Sequence, residues 1–169
     1  MAPLIVLTTV TLLLRVIGTV AAAPLNAWRP ALRGGLAAMF TVTGITHFAV
    51  LRADLIAMVP PALPRPDLLV TLTGILELAG AAALLHPRTA RWAAAGLALL
   101  LVAMFPANVY AAVEGAALGG SAATPLLPRT LMQLVFLAAT VAVLWPRTAA
   151  ADRRAGHLAG TEAHPGRTG

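Results

Sequence analysis

The sequence predicts an all-α membrane protein, a four-helix transmembrane bundle with one additional transmembrane helix at its N-terminus. Three observations lead there. Apolar residues fill 59% of the 169 positions and charged residues only 11%, against the ~45–50% and ~25% typical of soluble chains. Five apolar segments each approach the ~20 residues that a helix needs to cross a bilayer. The breaks between them carry Pro, Gly and Arg, residues that end helices and mark membrane edges. No water-soluble surface can be assembled from such a chain.

The first expected span covers residues 3–23. It differs from a cleaved signal peptide: it lacks a basic leading region, its apolar run is too long, and Ala21-Ala22-Ala23 runs into Pro24. The Pro- and Trp-containing break at 23–30 separates it from the second span, 31–50. Residues 51–66 follow, with Met58-Val59-Pro60-Pro61-Ala62-Leu63-Pro64 too apolar for a free loop. A short helix packed on the end of the bundle, then a Pro-rich turn, is expected there, since Pro60-Pro61 cannot continue a helix. The third span covers 67–85 and ends at His86-Pro87-Arg88-Thr89. The fourth covers 92–113, a Gly-rich loop occupies 114–128, and the fifth span covers 130–145. Pro-Arg-Thr begins at 87, 128 and 146, which reads as boundary chemistry rather than an internal repeat. Residues 1–148 thus form one membrane domain. The tail, 149–169, is polar and without apolar periodicity, so it is expected to be disordered.

All 12 basic residues are Arg, a choice that fits a GC-rich bacterial genome better than any chemistry. They stand singly between apolar runs, with no basic patch interleaved with aromatics, so nucleic acid is not an expected partner. With five spans, eight Arg fall on one side (29, 33, 88, 91, 147, 153, 154 and 167) and three on the other (52, 65 and 129). By the positive-inside rule the eight face the cytoplasm. The expectation is therefore a multi-pass protein of the bacterial inner membrane, N-terminus outside and C-terminus in the cytoplasm. Trp28, Trp92 and Trp145 fall at the cytoplasmic edge, as an aromatic belt would.

Polar side chains inside a bilayer are costly, which makes each one a site hypothesis. His47, Asn108 and Gln133 lie in the outer half of their spans, and Glu77 lies near the midplane. The four are expected to face one interior space and to form a ligand pocket. Asn108 and Gln133 serve equally well as interhelical hydrogen-bond links. Thr43 shares a helix face with His47, Thr73 with Glu77, and Arg129 with Gln133. Arg15 falls within the first span at nearly the level of Glu77, so a buried Arg15–Glu77 ion pair is expected to tie the first helix to the core. The alternative is that Arg15 reaches back to the membrane surface. The chain has no Cys, which removes dithiol chemistry and thiolate metal sites. His47 and His86 lie at opposite membrane edges, so no metal site is expected, and no soluble-enzyme motif is present.

Five stretches in order carry a family resemblance: Thr43-Gly44-Ile45-Thr46-His47-Phe48, the Pro-rich segment at 58–64, Thr73-Gly74-Ile75-Leu76-Glu77-Leu78-Ala79-Gly80, Phe105-Pro106-Ala107-Asn108-Val109-Tyr110 and Leu127-Pro128-Arg129-Thr130-Leu131-Met132-Gln133. Residues 35–147 resemble the DoxX-like membrane proteins. The resemblance implies the four-helix core and an accessory subunit without autonomous activity, associated with membrane redox processes. Such a subunit binds a partner protein or a small hydrophobic ligand, a quinone among the candidates. Subunits of a membrane redox complex, a second copy of the chain and the lipid bilayer are the implied partners. An oxidoreductase subunit of the thiosulfate:quinone type and a small-solute transporter are the alternatives.

Overall fold

The computed structural model describes residues 2–21, 25, 27–49, 51–115, 119–120 and 124–145. The expected disordered tail, 149–169, lies outside the described residues. The elements are α1 (Ala2–Val20), α2 (Trp28–Thr46), α3 (Arg52–Ala57), α4 (Pro66–Leu85), α5 (Ala90–Val113) and α6 (Leu126–Leu144). Among the described residues there is no strand. Local chemistry sets several of these ends. Pro66 occupies the first turn of α4, where its missing N–H costs nothing. His86, forced out of the helical region by Pro87, ends that helix with φ −91° and ψ 127°.

Helices α1, α4, α5 and α6 are long and apolar enough to cross a membrane. The helix of the second expected span, α2, is not among these four. Helix α2 has 19 residues, the length of a span, but its composition falls short because Arg29, Pro30 and Arg33 occupy its first two turns. It also runs from Trp28 to Thr46 instead of 31–50, so His47 caps the helix rather than lying within it. The bundle tolerates a less apolar α2 because that helix is the most enclosed. It packs extensively against α1 on one side and α4 on the other, and lightly against α6. The ring closes through α4 against α5 and α5 against α6, while α1 lies outside it. This is a four-helix core with one added N-terminal helix.

Close approach of α1 to α2 depends on a missing side chain. A Cβ on Gly35 would collide with Thr11 and stand 2.8 Å from the Leu7 carbonyl. Leu7, Thr11 and Gly18 form the buried face of α1, and the Thr11 hydroxyl is buried there without a hydrogen-bond partner among the described residues.

The interior near the start of α2 is solid. Leu36 and Leu84 are fully buried, with Leu97, Ala94 and Val143 packed beside them. Arg33 caps this end: its Nε donates to the Leu84 carbonyl and its Nη2 to the Leu85 carbonyl, both at 2.8 Å. It therefore satisfies the last carbonyls of α4, where a cation also complements the helix dipole. Trp28, Trp92 and Trp145 are all exposed at this tryptophan end. Large apolar side chains such as Leu99, Leu127 and Leu131 cover the outside of the bundle, the pattern of a chain whose solvent is lipid.

Candidate functional site

At the opposite end, where α3 lies, the same helices enclose a pocket of about 350 Å³. Its walls are mostly apolar, with Met39, Phe40, Leu101, Met104, Met132 and Phe136 facing the space. His47, Glu77, Asn108 and Gln133 all line it, as do Thr43 and Arg129. Four helices thus deliver the polar groups to one place.

Thr43 is the hub. Its hydroxyl donates to Oε2 of Glu77 at 2.7 Å, and its carbonyl lies 3.0 Å from Nδ1 of His47. A carbonyl only accepts, so Nδ1 carries the proton, and in the neutral ring Nε2 keeps its lone pair. Glycines allow this crowding. Gly74 lies against the imidazole of His47 and the ring of Phe48, and a Cβ on Gly44 would press Leu78 at 2.9 Å. Glu77 and His47 are each 4% exposed. Beyond the end of α2, burial lowers the His47 pKa from its ordinary value. The Thr43 carbonyl opposes this and the charge of Arg52 adds to it.

The other polar side chains have distinct local roles. Gln133 donates from Nε2 to the Leu101 carbonyl at 2.6 Å. That carbonyl lies beside the stretch of α5 where Pro106 removes a ladder N–H, so Gln133 links α6 to the weakened turn of α5. Asn108 is half-buried, and its side chain has no hydrogen bond among the described residues. Arg129 donates from Nε to the Thr124 carbonyl at 3.1 Å.

Above the pocket, α3 forms a roof. Leu51, Leu55 and Met58 face inward, and two polar anchors hold the segment. Arg52 donates to the His47 carbonyl at 3.0 Å and to Thr71 Oγ1 at 2.9 Å. Asp54 Oδ2 accepts from the Gly119 N–H at 2.7 Å, tying α3 to the α5–α6 loop, where Gly119 has φ 62°. On one side the pocket reaches Ala2, Pro3 and Val42, and Val42 is 41% exposed on the outside of the bundle.

The expected Arg15–Glu77 pair does not form. Arg15 stacks over Trp28, its guanidinium carbon 4.7 Å from the ring centroid, while Glu77 bonds to Thr43. The long Arg side chain extends towards the tryptophan end, where its charge meets an aromatic face. Sequence reasoning placed Thr43 and Arg129 on the right faces without making them site residues. It read Arg33 and Arg52 as topology signals alone. Spacing cannot show that a guanidinium ends on another helix's carbonyls.

No curated protein and no solved structure matches this chain. A family model described as "Domain of unknown function (DUF8561)" matches residues 36–144. The match runs from within α2 to the last residue of α6 and leaves α1 outside. The chain belongs to the DUF8561 family.

Proposed function

We propose that this protein is a membrane accessory subunit that binds a small hydrophobic ligand in the pocket under α3. The carrying observation is the pocket itself: about 350 Å³ of mainly apolar space with His47, Glu77 and Asn108 at its wall. This combination of apolar walls and a few convergent polar groups is what small-molecule sites share. The Arg distribution supports a pocket that opens on the outer side of a bacterial inner membrane, with the C-terminus in the cytoplasm. The DoxX-like resemblance supports an association with membrane redox processes and makes a quinone a candidate ligand. The polar groups available bind and orient; any electrons would come from a partner subunit.

Comparing lipophilic compounds that co-purify with the unmodified chain and with Met104→Trp, which fills the pocket, tests the reading. A compound present with the first and lost with the second is the expected result. Identical extracts from both would refute a ligand-binding pocket. Quinone reduction by the purified chain alone would replace the accessory role with an enzymatic one. A periplasm-dependent reporter at the C-terminus should be silent; an active one would reverse the orientation.

A further inference from the structure

We propose that the ligand is a neutral amphiphile with a hydroxyl head, drawn sideways from the bilayer. This rests on the pocket reading above and specifies its chemistry.

Charge comes first. One carboxylate, Glu77, and one guanidinium, Arg129, line the space. His47 directs its Nδ1 proton to the Thr43 carbonyl. With Glu77 ionised, its charge and that of Arg129 balance, and a ligand bearing a charge of its own would enter an apolar cavity without a matching counter-charge.

Hydrogen bonding then selects the head. Nδ1–H of His47 is committed to Thr43, which leaves Nε2 as an acceptor that only a donor can satisfy. Oε2 of Glu77 already has Thr43, leaving Oε1 for the ligand. Asn108 supplies both a carbonyl and an N–H₂, neither bonded among the described residues. An ether or ketone accepts only and leaves Nε2 unmet. An ammonium donates only and brings a charge. A hydroxyl donates to His47 or Glu77 and accepts from Asn108, so it satisfies the site.

The route follows from the lining. Val42 belongs both to the pocket wall and to the exposed outer surface of α2, beside Ala2 and Pro3 of α1. Helices α2 and α6 pack only lightly together, and the shared lining of Val42, Ala2 and Pro3 places the route to the lipid side beside the first turn of α1. A molecule dissolved in the membrane can enter there with its tail still among lipid chains.

Native mass spectrometry of the full chain in nanodiscs tests this with para-octylphenol and para-octylanisole. The two share the octylphenyl body, and the anisole replaces the donating O–H with an O–CH₃ that can only accept. The phenol should half-saturate at a concentration at least about tenfold lower than the anisole, because the ether leaves a buried acceptor unpaired. Equal binding would overturn the hydroxyl head while leaving the pocket reading intact. Stronger binding of octylammonium than of the phenol would overturn neutrality. Binding of none of these probes would remove both this inference and the pocket reading. Val42→Trp should slow loading of the phenol from the bilayer, and unchanged loading would overturn the lateral route. The probe comparison is made on the unmodified chain, so it does not depend on any variant folding.

Discussion

Between the tryptophan end and the α3 end, the same four helices change from a solid interior to a hollow one. Near the tryptophan end, Leu36, Leu84 and Leu97 interdigitate with Ala94 and Ala81. Arg33 seals the last carbonyls of α4. Near the α3 end, the interior positions carry Thr43, Glu77, Asn108 and Gln133, and the helices stand far enough apart to enclose about 350 Å³. Met39, Phe40 and Leu101 belong to both regions, flooring the pocket and closing the core. The difference teaches that one half holds the bundle together while the other keeps a space open. In lipid, packing supplies much of the helix–helix attraction that water would supply elsewhere, so the solid half is where stability is concentrated.

The largest expected effect is an asymmetry between the halves. Leu36→Ala opens a cavity where none exists and should cost about 2–5 kcal/mol. Met104→Ala only enlarges an existing space, so its cost should stay well below that. Chemical unfolding in detergent measures both, and equal losses would erase the distinction. Next comes Arg33→Leu, which leaves the Leu84 and Leu85 carbonyls without their donor and should cost about 1–3 kcal/mol. Asp54→Ala should scarcely change stability, yet it frees Gly119 from the roof. Hydrogen exchange at the Gly119 amide should then accelerate, whereas unchanged protection would mean that the roof is held by apolar contacts alone. Smallest is Thr11→Val. It removes a buried hydroxyl with no partner among the described residues and keeps the shape against Gly35, so it should be neutral or stabilising. A clear destabilisation would show that this hydroxyl has a role in the α1–α2 contact.

The helices were legible because membrane spans are written in length and apolar content, and because Pro66 and Pro87 punctuate them. Helix α2 was harder. Its Arg29, Pro30 and Arg33 lower its apolar character, and only packing between α1 and α4 explains how it is accommodated. The pocket residues were legible for a different reason: His47, Glu77, Asn108 and Gln133 are each too costly to face lipid. That reasoning says which way a side chain points and not what it bonds. Gln133 therefore turned out to bond the Leu101 carbonyl near Pro106, and Arg15 turned from Glu77 to Trp28. Side-chain reach and backbone acceptors on other helices carry no sequence period, so these pairings became visible only with the fold.

A polar pocket lies inside the bundle at the α3 end, while the other end is solid. The natural chain has no Cys, so single cysteines report cleanly. With Asn108→Cys in the pocket and Thr140→Cys in the fully buried region, modification by a small methanethiosulfonate reagent should be fast at the first position and negligible at the second. Adding Met104→Trp should protect the first. Equal reactivity at the two positions, or no protection by Met104→Trp, would contradict the account.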